Sequence, residues 1–335
     1  MKLGLILPRR GPSGLWAAGC EAAAFLAVAE INAAGGVRGE PVRMAVACSG
    51  ETPADAAEAA GALQETEHPD AVIGFQPSHM RHAVRARLAG AVPYFYTPQY
   101  EGGYPGPGTL ALGVTDEEAL RPALSWLMDA RGVRRCFFVG NDYIWPRTAH
   151  GTAHDAMAQC GLQSCGSAII PFGTEDYEPL LATIRRAAPD LVITVLLGEE
   201  TVRFNRAFAA AGMAARSLRL ALAMDETLLL GIGPDAAENL FAAETFFAGN
   251  HGRADDPMLA LYDAAYGRSL PPVNVFSLGC YNAIRLVADL AGEAGRSDAK
   301  SLLTAMRRPH ARRSRLRPIH IAEADGTGFR VRATL

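Results

Sequence analysis

The residue pair that comes nearest to covalent chemistry in this chain is Ser78-His79, a hydroxyl next to an imidazole. A small-amide hydrolase is the enzyme such a pair would suggest. Adjacent residues at a helix start point in different directions, so this imidazole is badly placed to take that hydroxyl's proton. Gly11 and Gly14 do not complete a G-x-G-x-x-G, and the chain has no G-x-S-x-G, P-loop or H-E-x-x-H. The glycine-rich stretch from Gly102 to Gly108 has no phosphate-loop pattern and reads as a surface loop. Cys20, Cys48, Cys136, Cys160, Cys165 and Cys280 form no C-x-x-C and share no metal spacing with histidine. They read as small buried hydrophobes, with Cys160 and Cys165 near enough in sequence to bridge across a turn. No catalytic residue, cofactor or metal site is expected. What remains is reversible hydrogen bonding by neutral groups.

Those groups sit in an alternation of strand and helix signals. Leu3–Leu7 is a short apolar run, and a helix follows from Leu15 to Ala34, ended by Gly35-Gly36. Strands are then expected at Val42–Val46, Ala71–Gly74, Val92–Tyr96, Cys136–Gly140, Ser167–Ile170, Leu191–Leu196 and Leu218–Leu222. Helices fall between them, among them Thr52–Glu67, Ser78–Leu88 with Ser78 as N-cap, Leu120–Arg131 and Glu200–Ala211. Longer helices close the chain at Val273–Ala294 and Ala299–Arg307. This alternation implies α/β architecture with parallel sheets covered on both faces. So many units in 335 residues suit two doubly wound lobes better than one sheet, with a first break near Thr115–Glu118.

Open α/β sheets take ligands at the carboxyl ends of their strands. Pro8-Arg9-Arg10 follows the first strand, Phe75-Gln76-Pro77-Ser78 the third, and Thr97-Pro98-Gln99-Tyr100-Glu101 the fourth. Asn141-Asp142-Tyr143-Ile144-Trp145, Leu197-Gly198-Glu199 and Ala223-Met224-Asp225-Glu226 follow later strands. The candidate ligand-binding residues are Ser78, Tyr96, Tyr143, Gln76, Gln99, Trp145, Gly198, Glu199 and Met224. Asp142 is expected to cap the following turn or helix and hold the loop, and Arg147 to form an ion pair. On the first rim Ser78, Tyr96, Gln76 and Gln99 all donate and accept, which suits a small neutral polar ligand. Arg9 and Arg10 are the nearest candidate cations and are expected to face water.

Hydrophobic residues make up 49% and charged residues 20% of the chain, a globular balance, and the formal net charge of −3 favours neither nucleic acid nor anionic lipid. The run from Arg307 to Arg317 is locally basic. It lacks aromatic interleaving, so a solvated loop is expected there and nucleic acid is not an expected partner. No run of about 18 apolar residues is found, so no membrane span is expected. The first strand begins at once, with no export signal ahead of it. If Met1 is the natural start the expected compartment is the cytoplasm; if a signal has been removed, it is the periplasm.

Ala34-Gly35-Gly36-Val37-Arg38-Gly39-Glu40-Pro41-Val42 resembles the turn after the first helix of type I periplasmic binding proteins. Phe95-Tyr96-Thr97-Pro98-Gln99-Tyr100-Glu101-Gly102 and Val139-Gly140-Asn141-Asp142-Tyr143-Ile144-Trp145-Pro146-Arg147 resemble a narrower branch. That branch holds the urea- and short-chain-amide-binding components of ABC transporters and the cytoplasmic amide sensor of amidase operons. The resemblance implies two lobes with a ligand cleft between them, 1–117 with 248–322 and 118–247 with 323–335, and three crossings of the chain. It implies non-catalytic binding of an amide or urea through Ser78, Tyr96 and Tyr143. It also implies an ABC permease or a cytoplasmic regulator as partner, with a homodimer as an assembly to test. Gln76 stands where the amide sensor has a tyrosine, and the Leu196–Glu200 loop is more acidic and bulkier than a plain amide calls for. The alternative within the family is a branched-chain or other amino-acid receptor. Its relatives use a Ser/Thr-rich carboxylate loop where this chain has Tyr96-Thr97-Pro98-Gln99-Tyr100.

Overall fold

The computed structural model describes residues 1–250, 256–267, 271–308 and 317–335. The chain divides into two compact units, Met1–Gly113 with Ala254–Arg317, and Val114–Arg253 with Pro318–Leu335. Each is an α/β body with its own sheet.

The first unit opens with β1 (Lys2–Leu7), buried from Leu3 onward, as a central parallel strand covered on both faces must be. A 3-10 turn (Gly14–Trp16) leads into α1 (Ala17–Ala33), then come β2 (Arg43–Cys48), α2 (Pro53–Glu67), β3 (Ala71–Gly74), α3 (Ser78–Leu88), β4 (Tyr94–Tyr96) and β5 (Thr109–Ala111). The strands lie parallel in the order β2-β1-β3-β4-β5. Thr52 begins α2 with a capping box, its hydroxyl accepting from Asp55 N–H while Pro53 fills the first turn.

The second unit runs α4 (Asp116–Arg131), β6 (Arg135–Asn141), α5 (Ile144–Gln159), β7 (Gln163–Ile170), α6 (Glu178–Ala187), β8 (Leu191–Val195), α7 (Glu199–Ala210), β9 (Leu218–Ala221), α8 (Glu226–Ile232) and β10 (Leu240–Glu244). The chain then adds α9 (Pro257–Tyr266), α10 (Val275–Ala294) and α11 (Ala299–Ala305) to the first unit. It ends with β11 (His320–Asp325) and β12 (Gly328–Thr334) in the second. The second sheet has the order β12-β11-β10-β9-β8-β6-β7. It is parallel from β7 to β10, and β11 and β12 join antiparallel, so the expectation of purely parallel sheets is corrected at this edge.

Two further expectations change, those for Ser78 and Cys48. Ser78 does not cap α3: Pro77 is the N-cap and Ser78 the first helical residue, its hydroxyl turned to another partner. Gly14–Ala33 is a helical stretch long and apolar enough, by length and composition, to cross a membrane. Its glycines, Glu21 and Glu30 break it up, so it contains no unbroken apolar run of that length. Half of its apolar window is buried inside the protein, and α1 packs against α10 in the first unit, the behaviour of a core helix. Cys48 is exposed, whereas Cys20, Cys136 and Cys280 are buried as expected of small hydrophobes. Residues 309–316 of the arginine run lie outside the described residues; beside them Arg308 pairs with Glu293 at 3.1 Å.

Candidate functional site

In the first unit the carboxyl ends of β3 and β4 hold a buried polar network. Tyr94 donates its hydroxyl to Gln76 Oε1 at 2.7 Å, Gln76 Nε2 donates to the Ile6 carbonyl at 3.2 Å, and Tyr96 donates to the Gln76 carbonyl at 2.7 Å. Burial holds the Tyr94 hydroxyl well above its usual pKa, with Tyr96 adding to the shift, so Tyr94 stays a neutral donor. Gly74 allows this: a Cβ there would overlap the Tyr94 ring and the Gln76 amide.

Ser78 joins the network through residues that sequence reasoning passed over. Its hydroxyl donates to Glu101 Oε2 at 2.8 Å. Arg81, one turn further along α3, donates to Glu101 Oε1 at 2.5 Å. The Arg81 guanidinium lies over the rings of Tyr96 (5.0 Å) and Tyr100 (5.6 Å), a double cation–π arrangement. Arg81 is 3% exposed, and its Nε and Nη1 atoms have no hydrogen-bond partner among the described residues. His82 Nε2 lies 3.2 Å from Arg81 and 3.7 Å from Glu101. Burial, then the Arg81 charge, lowers the His82 pKa, so the ring accepts from Arg81 as a neutral imidazole. Gln99 is buried in the loop that carries Glu101. The first unit therefore brings together Ser78, Gln76 and Tyr96, and adds Arg81 and Glu101. Ser78 donates its hydroxyl hydrogen bond to a carboxylate and not to a histidine.

The second unit gathers its candidates at the ends of β6, β8 and β9. Tyr143, half-buried, is the N-cap residue of α5, and its ring packs 5.3 Å from Phe172 and 6.3 Å from Trp145. Trp145 is buried, its indole N–H shared between the two oxygens of Asp116 at 2.9 and 3.0 Å. Asp142 does not cap the helix; it accepts from Arg147 Nε at 2.7 Å, which supplies the ion pair expected of Arg147. Gly198 sits before α7 at φ 53°, ψ −116°, a region that favours glycine. Leu197 N–H donates to Asn141 Oδ1 at 2.8 Å, joining the ends of β6 and β8, while the buried Asn141 Nδ2 has no partner among the described residues. Glu199 is exposed and pairs with Arg203 at 3.4 Å. Its neighbour Glu200 is the buried one, taking the Gly173 N–H at 3.1 Å.

Met224 is fully buried and precedes an acidic pair. Asp225 caps α8 by accepting from Leu228 N–H at 3.0 Å. Glu226 Oε1 accepts from Ala248 N–H at 2.7 Å, and its Oε2 has no partner among the described residues. Glu244, at the end of β10, is 1% exposed with Oε1 likewise unpartnered. Burial first, then the nearby Asp225 charge, pushes the Glu226 carboxyl up to about 8 and Glu244 well above the ordinary range. Among the described residues no group of carboxylate, thiol or imidazole side chains is arranged to hold a metal ion.

A family model described as "Periplasmic binding protein" matches residues 1–330. The chain is 17% identical to the solute-binding protein of an ABC transporter from R. palustris solved in complex with 4-hydroxybenzoate, at a TM-score of 0.86 over 100% of this chain and 96% of that one. An ABC transporter substrate-binding protein from Sphaerobacter thermophilus is 22% identical, at a TM-score of 0.84 over 100% and 97% of the two chains. A branched-chain amino acid transporter substrate binding protein from Streptococcus pneumoniae, in complex with isoleucine, is 16% identical at 0.84 over 100% and 98%. At these identities the likeness is one of fold.

Proposed function

The chain belongs to the periplasmic binding protein family, and from that premise we propose that it is a non-catalytic receptor for a small neutral polar solute, an amide or a urea, which it delivers to an ABC permease. The family's usual compartment is the periplasm, and a permease is the partner such a receptor meets there; nothing favours the cytoplasmic regulator considered from the sequence. The strand ends of the first unit offer the solute Ser78, Gln76, Tyr96 and Gln99; those of the second offer Tyr143, Trp145, Gly198, Glu199 and Met224. The observation that carries the neutral-ligand reading is the Arg81–Glu101 pair at 2.5 Å. The cation beside Ser78 already has its counter-ion, so a ligand carboxylate finds no uncompensated charge, and burying one without such a partner is costly.

A second reading, a solute with a carboxylate, is favoured by the unpartnered Nε and Nη1 nitrogens of Arg81 and by the hydroxybenzoate and isoleucine held by proteins of this fold. Thermal-shift screening over ureas, amides, aromatic acids and amino acids separates the two, because a ligand that binds only the folded state raises its apparent stability. Neutral amides or ureas are expected to give the largest shifts. A larger shift with the matching acids, or with a branched-chain amino acid, would replace the first reading by the second.

A further inference from the structure

The hydrogen bonding of Ser78 has a direction. A serine hydroxyl carries one donor hydrogen and two acceptor lone pairs, whereas a carboxylate only accepts. In the contact at 2.8 Å between Ser78 Oγ and Glu101 Oε2, the hydrogen therefore comes from Ser78. Glu101 is not free to turn away: its other oxygen receives Arg81 at 2.5 Å, and its side chain is 11% exposed. Arg81 is held in turn over Tyr96 and Tyr100. With its one hydrogen committed, Ser78 can offer a further group only its lone pairs.

We infer that Glu101 is a specificity-determining residue: it fixes Ser78 as a hydrogen-bond acceptor, so the ligand atom seated on Ser78 must bring an N–H or O–H. This rests on the reading of the strand ends as a solute site and sharpens it. A primary amide, a urea or an amine satisfies Ser78 in that state. A carboxylate oxygen would face the Ser78 lone pairs with Glu101 directly behind them, two like-signed partners that a donor-bearing ligand avoids. Glu101 acts through Ser78 and need not touch the ligand.

The test compares matched pairs, acetamide with acetate and benzamide with benzoate, by calorimetry on the whole protein. The wild type is expected to prefer the amide by about tenfold, the worth of one hydrogen bond. Ser78→Ala is expected to lower amide affinity by about tenfold and leave acid affinity within about twofold, because it removes an acceptor and no donor. Glu101→Gln frees the Ser78 hydrogen and leaves Arg81 without its counter-ion, so the preference should swing toward the acid by about tenfold or more. If Glu101→Gln weakens both members of each pair equally, Glu101 is only a clamp on its loop and the inference fails while the receptor reading stands. Should Glu101→Gln not fold, Ser78→Ala still decides: a larger loss for the acid means that Ser78 donates to the ligand. Binding of neither member of any pair by the wild type removes the amide reading itself, and the inference with it.

Discussion

Trp145 and Asp116 are locked together at the start of two helices, the indole N–H of one shared between both carboxylate oxygens of the other at 2.9 and 3.0 Å. Asp116 is fully buried at the first position of α4, where the helix dipole favours a negative charge. Trp145 lies in the first turn of α5, two residues past Tyr143. The bond thus fixes the loop that presents Tyr143. Trp145→Phe keeps an aromatic ring but removes the N–H donor and part of the buried indole, so it should lower stability by about 1.5–3 kcal/mol for the lost bond to a charged group, with a further loss for the cavity left behind. Urea unfolding measures this, and an unchanged midpoint would show that the pair holds nothing in place.

Glu226 makes stability depend on pH in an unusual direction. Burial, with Asp225 beside it, raises its folded pKa from 4.5 to about 8. In the unfolded chain it loses its proton near the ordinary value. Between these two values the folded protein keeps a proton that the unfolded chain has released, so this contribution is full below 4.5 and is lost as pH rises to about 8. Glu244 shifts the same way and adds to the trend, with Asp225, Glu226 and Asp116 as the charges around it. Glu226→Gln should flatten the profile between about pH 5 and pH 8 by roughly 3–5 kcal/mol. A wild-type stability that climbs across that range relative to the variant would contradict the buried, protonated state.

Much of this arrangement was legible because it follows from period and punctuation. The strands at Leu3–Leu7 and Leu191–Val195 are apolar runs bounded by turn residues, and every residue from Leu191 to Val195 is buried. The strand Leu240–Glu244 escaped notice because it ends in an acid, and a buried glutamate is what hydrophobic patterning excludes. Arg81 was passed over for a similar reason. An arginine on a short polar helix reads as a solvated face, and only its spacing of three from Ser78 hinted that both share one side of α3. Glu101 stood inside a motif quoted from the sequence, yet its role depends on Arg81 and Ser78 arriving beside it from a different element. Ser78 reads from the sequence both as a cap and as a ligand contact; Pro77 serves as the cap, and the Ser78 hydroxyl turns to that long-range partner.

Gly113 fixes the same loop from below. A Cβ at this position would overlap the carbonyl of Pro98, and backbone has no rotamer with which to give way. Gly113→Ala should therefore displace Pro98 and Gln99 and with them the placement of Glu101. The expected result is a stability loss of about 2–4 kcal/mol, of the kind overpacking and backbone strain produce, together with weaker solute binding. A variant of native stability and unchanged affinity would mean that the loop adapts without cost.

Asn141 gives the most local readout of all. Its Oδ1 takes the Leu197 N–H at 2.8 Å, and so the end of β6 secures the turn into Gly198. Both groups are buried, so no water replaces the bond when it is removed. Asn141→Ala leaves the Leu197 N–H without its acceptor, at a cost of about 1–3 kcal/mol. The same change removes Asn141 Nδ2, a buried donor with no partner among the described residues, so part of the loss is offset by relief of that group. The two effects separate in hydrogen exchange. Global stability reports their sum, whereas the Leu197 amide reports only the lost acceptor. Its protection should fall well beyond the global change, while the amides of Val192 and Ile193 in the centre of β8 follow the global change alone. Equal loss at all three amides would mean that the Asn141 contact does not hold the turn.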